Sequence, residues 1–135
     1  MADAMDLEIV TPEGLKLRES VKELTAPGAL GELGVLPGHV AVLTTLEPGA
    51  LSFQSAKGGG RALAVADGYL QVLSDRLIVI TEAAEFKEDI DVARAKKSLD
   101  EANKQLESAS IGDSQFKLHE RRRKRAEARL AVAAR

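Results

Sequence analysis

The hydrophobic period of this chain changes once. Up to about residue 84 apolar side chains recur at every second position; beyond it they step by threes and fours. A chain written this way cannot be one uniform body. The first period is that of half-buried strands, the second that of amphipathic helices.

In the first part, Leu7-Glu8-Ile9-Val10 runs into a Pro12-Glu13-Gly14 turn, after which Leu15 and Leu17 alternate with charged residues. Val21 and Leu24 alternate less strictly. Strands are expected over Val40–Leu46, from Leu51 through Gln54, over Arg61–Ala66, Tyr69–Leu73 and Leu77–Thr81. Pro48-Gly49 breaks the chain, Gly58-Gly59-Gly60 is a hairpin tip, and Asp67-Gly68 and Ser74-Asp75 are expected turns. Many short strands at even spacing predict an antiparallel β-sandwich, a flattened barrel, over 1–84. Aromatic residues are 3% of the chain, so its core has to be built from Leu, Val, Ile and Ala.

In the second part, Val92, Ala95, Leu99, Ala102, Leu106 and Ala109 form one stripe on a helix. Asp89 or Asp91 is placed to cap it. Ser110-Ile111-Gly112-Asp113-Ser114 breaks it, and a second helix runs from about Phe116 with Ala126, Leu130 and Ala133 on a stripe. The small residues permit close antiparallel packing, so 85–135 reads as a two-helix hairpin. It buries little apolar area and should detach more easily than the sandwich rearranges.

Charge follows the same division. Residues 1–84 hold six Lys or Arg against eleven Asp or Glu, net −5; residues 85–135 hold thirteen against ten, net +3. With no cysteine there is no disulfide and no thiol chemistry. His39 and His119 stand far apart, which argues against zinc, and no Ser, His and acid grouping has a hydrolase spacing. No apolar run approaches the roughly 20 residues that span a bilayer. The acidic stretch Met1–Asp6 is unlike a signal or transit peptide. A cytoplasmic chain is expected, reaching a membrane only through another protein.

Three features carry functional information. Gly31-Glu32-Leu33-Gly34-Val35-Leu36-Pro37-Gly38-His39 reads as a rigid loop with one carboxylate, one imidazole and several apolar groups. No Lys-Ser or Lys-Thr follows its glycines, so it is not a phosphate loop, and a partner protein is its natural reader. Arg121-Arg122-Arg123-Lys124-Arg125, with Arg129, is the strongest charge signal. It suits a solvated face, a nucleic-acid backbone or an acidic protein partner, though no aromatic residue is present there to stack bases. Asp91 and Arg94 share one helix face, and Arg125 and Arg129 another. Antiparallel packing would gather them at one end of the hairpin, either as an internal Asp–Arg network or as a phosphate site.

The loop Gly31–His39, with Asp67-Gly68-Tyr69-Leu70-Gln71-Val72 and Ile90-Asp91-Val92-Ala93-Arg94-Ala95, resembles in order and spacing the epsilon subunits of bacterial F-type ATP synthases. The resemblance runs from Leu7 to about Ala134. It implies a non-catalytic rotor subunit, with a β-sandwich set against the gamma subunit and the c-ring. The helical hairpin would either fold onto the sandwich or extend toward the alpha and beta catalytic subunits, where it inhibits ATP hydrolysis. Gly31, Glu32, Leu33, Gly34 and His39 then match the c-ring contact. Arg121, Arg122, Arg123 and Arg125 are expected to be the inhibitory latch. Some family members bind ATP on the folded hairpin, a pattern matched here by Glu85, Ile90, Asp91, Arg94, Arg125 and Arg129. A further arginine of those members falls at Glu101, a charge reversal that implies weak binding. ATP is therefore expected as a weak regulatory ligand, with no cofactor required and no nucleic-acid partner. The implied location is the cytoplasmic face of the bacterial inner membrane. The readings outside this class are a basic-helix nucleic-acid-binding module and a nucleotide sensor without inhibitory role.

Overall fold

The structure, a computed structural model, describes residues 3–110, 112 and 114–135. Ile111 and Asp113 of the expected helix break, and Met1 and Ala2, lie outside the described residues. Seven strands come first: β1 (Met5–Thr11), β2 (Gly14–Gly28), β3 (Gly31–Val35), β4 (Val42–Thr45), β5 (Gly49–Ser55), β6 (Gly60–Val72) and β7 (Arg76–Phe86). A 3-10 turn over Lys87–Asp89 leads to α1 (Val92–Ser108) and α2 (Ser114–Ala133). A β-sandwich followed by two C-terminal helices is the architecture that the change of period predicts.

The strands run β1-β7-β6-β5-β2-β3, and β2 also pairs with β1, which closes the sheet on itself as a flattened barrel. The closing device is the length of β2. Its first half pairs with β1 through Met5↔Val21 to Thr11↔Gly14, its second half with β5 and β3. A register shift between Val21 and Glu23 marks the bend, which is why alternation weakens there. One pair departs from the antiparallel expectation: β1 and β7 run parallel from Asp6↔Arg76 to Val10↔Ile80. These strands are far apart in sequence, so no tight hairpin constrains their direction.

The core is aliphatic as composition requires. Leu7, Ile9, Val21, Leu24, Leu51, Leu63, Leu70 and Leu77 are fully buried, with Phe53 the aromatic among the fully buried side chains. The core cluster runs from Met5 to Ala84 and contains no residue of α1 or α2. Strand β7 continues to Phe86, two residues past the boundary that periodicity drew.

Two local expectations need correction. Asp67-Gly68 is no turn. It is a left-handed kink inside the continuous strand β6: pairing passes from Ala66↔Ala83 to Gly68↔Thr81, so Asp67 and Glu82 drop out of the ladder while the register is kept. Both residues take positive φ, 57° and 119°. The kink separates two pairings of the strand: residues 60–65 of β6 pair with β5 and residues 69–72 pair with β4. A side chain at Gly68 would land on the Ile80 carbonyl oxygen. In addition, Gly31–His39 is only partly a loop. Its first five residues form β3 and pair with β2 from Gly28↔Gly31 to Leu24↔Val35.

In the hairpin, Asp91 is the cap of α1, its carboxylate accepting the Arg94 N–H at 3.1 Å. Ala95 and Ala102 on α1 and Ala126 on α2 are buried, as the stripes predict. Helix α2 also buries Ala128 and Val132, and it packs on β5 and β6 as well as on α1.

Candidate functional site

The most organised polar arrangement lies where α2 meets the sandwich. A single nitrogen, Arg125 Nη2, donates to Asp67 Oδ2 and to Glu82 Oε2, both at 2.7 Å. Arg121 Nη2 reaches the same Asp67 oxygen at 2.8 Å. One turn beyond Arg125, Arg129 Nε donates to Glu85 Oε1 at 2.6 Å. Residues 121, 125 and 129 are spaced by four, so a straight helix lays all three guanidiniums along one face. The carboxylates opposite them come from the β6 kink and from positions 82 and 85, three residues apart near the end of β7.

The left-handed kink at Asp67-Gly68 makes this possible. Its left-handed backbone turns Asp67 out of the strand's ordinary alternation. The buried Thr81 hydroxyl fixes it, lying 2.7 Å from the Asp67 carbonyl, 2.9 Å from that of Ala66 and 3.1 Å from that of Ala83. Partial burial pushes the Asp67 carboxyl up, but the Arg125 and Arg121 guanidiniums outweigh it and hold the group below its ordinary 3.8. The stabilisation from such a depressed carboxyl is complete above its ordinary value and is lost as pH falls below that. The contact therefore persists throughout the neutral range. Arg125 is raised in turn, first by its hydrogen bond to Asp67, against the opposing effect of burial. Its Nε is buried and has no hydrogen-bond partner among the described residues.

The expected site residues divide. Arg121 and Arg125 of the latch set face the sandwich, Arg122 lines the groove between the helices, and Arg123 lies 3.5 Å from Glu127 on its own helix. Of the nucleotide set, Arg125 and Arg129 line a small cleft with Glu85. They also line an open cavity of about 610 Å³ with Ser98, Glu101, Gln105 and Arg122. Asp91, Arg94 and Ile90 line neither. Asp91 is occupied as the helix cap and the Arg94 side chain is exposed. The Asp–Arg network considered within the hairpin thus forms between hairpin and sandwich instead. Asp67 and Glu82, its receptors, escaped sequence reasoning because Asp67-Gly68 has the composition of a turn. The available signal was the opposite net charge of the two parts.

At the other feature, Gly31 and Gly38 take positive φ of 119° and 86°. Val35 points into the core and Leu33 packs partly against it, which leaves Leu30, Glu32, Leu36 and Val40 exposed. His39 Nδ1 lies 2.7 Å from the Val40 carbonyl, so that nitrogen carries the proton and the ring is held locally.

A β-sandwich followed by two C-terminal helices is the frame of one class of ATP synthase subunit. The β-sandwich domain of the ATP synthase delta/epsilon chain matches residues 4–87. The chain belongs to the ATP synthase delta/epsilon family, and its full-length likeness is to the epsilon type. It is 44% identical to the ATP synthase epsilon chain of Trichlorobacter lovleyi, over 98% of this chain and 96% of that one. With epsilon chain 2 of Syntrophotalea carbinolica it shares 43% identity, over all of this chain and 97% of that one. In the Euglena gracilis mitochondrial ATP synthase (OSCP/F1/c-ring), a chain 24% identical superposes with a TM-score of 0.87, covering all of this chain and 84% of its own length. That likeness concerns the fold.

Proposed function

We propose that this epsilon-family chain is a non-catalytic rotor subunit that couples gamma to the c-ring and restrains ATP hydrolysis through a mobile C-terminal hairpin. The observation that carries the reading is the separation of the two bodies. The sandwich core is complete without any hairpin residue, while α2 is held to it by arginine–carboxylate pairs and small side chains. Pairs this exposed contribute about 0–1 kcal/mol each, so compact and extended forms lie close in free energy.

Glu32, with the exposed Leu30 and Leu36 around it, suits the c-ring contact. Extension would free Arg121 and Arg125, which with Arg122 and Arg123 would latch onto carboxylates of the alpha and beta subunits. Membrane association is through the complex, at the cytoplasmic face of the bacterial inner membrane; among the described residues no helix is long and apolar enough to cross a bilayer. As a ligand we propose ATP, bound weakly on the folded hairpin. A nucleic-acid role fits less well, because three of the basic groups it would need are engaged by the chain's own carboxylates.

Removal of the chain from Ile90 onward tests this reading. The parent complex should keep coupled synthesis and gain ATP hydrolysis. Unchanged hydrolysis would remove the inhibitory role, and failure to assemble would remove the sandwich as the rotor-binding part.

A further inference from the structure

Asp67 differs from the other carboxylates at the interface. Glu82 and Glu85 each take one guanidinium, whereas Asp67 takes two at one oxygen, from a backbone conformation that non-glycine residues seldom adopt. That conformation is maintained by devices with no other evident use: Gly68, which leaves room for the Ile80 carbonyl, and the buried Thr81 hydroxyl among three carbonyls. Strain retained at one residue and supported by its neighbours points to a role for that residue. Arg121 and Arg125 meet Asp67 only while α2 lies on the sandwich, so an extended hairpin has to give up that contact before they reach carboxylates on another protein.

We propose that Asp67, presented by the left-handed kink of β6 and pinned by Thr81, is the clasp of the compact form, and that its release frees Arg121 and Arg125 for the extended form. The link to hydrolysis rests on the functional reading above; the clasp itself does not. Thr81 is a positioning residue, acting through the Asp67 backbone.

One consequence separates the two sides of the pair. Losing the arginines weakens both the compact and the extended form. Losing only the Asp67 charge weakens the compact form alone. Asp67→Asn should therefore deepen inhibition, whereas neutralising the arginines relieves it. Asparagine tolerates the left-handed conformation and is nearly the same shape, so the kink survives the substitution.

The test uses the full chain, which lacks cysteine, labelled with a spin pair at Lys57→Cys and Lys117→Cys. The parent should show one narrow distance distribution. Asp67→Asn should raise the displaced fraction at least fivefold with the strands still protected from hydrogen exchange, and Thr81→Val should do the same. An unchanged distribution in Asp67→Asn overturns the clasp. Strands that lose protection in step with the helices overturn it too, because Asp67 would then serve the sandwich as a whole. In the assembled complex Asp67→Asn should lower ATP hydrolysis at least twofold. An open hairpin with unaltered hydrolysis would sustain the clasp and refute the inhibitory reading instead.

Discussion

At the scale of single residues, Asp67 and Gly68 show how a dipeptide with turn composition can serve a strand. Asp-Gly supplies two positive φ values wherever they are needed, and local composition does not say whether the chain reverses or continues. What decides is the partner strand. Residues 76–86 form an unbroken β7 that pairs in one register on both sides of Asp67, so β6 continues. Gly68 is consequently fixed by backbone contact rather than by solvent-exposed turn geometry. Gly68→Ala should cost about 3 kcal/mol of sandwich stability, a size associated with strain at a special backbone position. Denaturant unfolding of the full chain measures it, and a loss below about 1 kcal/mol would show that β7 can shift to make room.

Among the elements, the change of hydrophobic period carried most of the fold. Stripes on α1 and α2 identified Ala95, Ala102 and Ala126, because packing between two helices uses the same 3.6-residue repeat that the sequence displays. Ala128 and Val132 were not legible, since α2 has a second buried side against β5 and β6 that no single stripe describes. The same applies to the site. The basic run was visible as a helix face, but its receptors sit on strands some 40 to 60 residues earlier, joined to it only by the tertiary fold. Neutralising Arg121, Arg122, Arg123 and Arg125 to Gln has to be read with both faces of α2 in mind. In the parent complex it should raise ATP hydrolysis severalfold and reduce its dependence on salt, because the extended form loses four cations while the compact form loses two. Hydrolysis at the parent level would place inhibition outside this run.

On the scale of the whole molecule, an acidic sandwich and a basic hairpin hold each other through charge, and any anionic ligand of the hairpin must compete with that attraction. Of the three arginines proposed to hold ATP phosphates, Arg125 and Arg129 already face Asp67, Glu82 and Glu85. Glu101 places a further carboxylate in the lining of the cavity between the helices that Arg125 and Arg129 share. A triphosphate can still displace carboxylates, since it brings more charge to one place than any of them, and Arg94 is exposed and able to swing toward it. The competition reduces the net gain. An opposing charge at a partly exposed position costs on the order of 1 kcal/mol, about tenfold in affinity, so the proposed binding is expected in the millimolar range. ATP that bridges the helices would favour the compact form and relieve inhibition. Calorimetry on the full chain should show millimolar binding that Arg94→Ala abolishes and Glu101→Arg tightens about tenfold. If neither the parent nor Glu101→Arg takes up heat with ATP, the arginines belong wholly to the sandwich contact, and Asp67, Glu82 and Glu85 are the anions that α2 is built to hold.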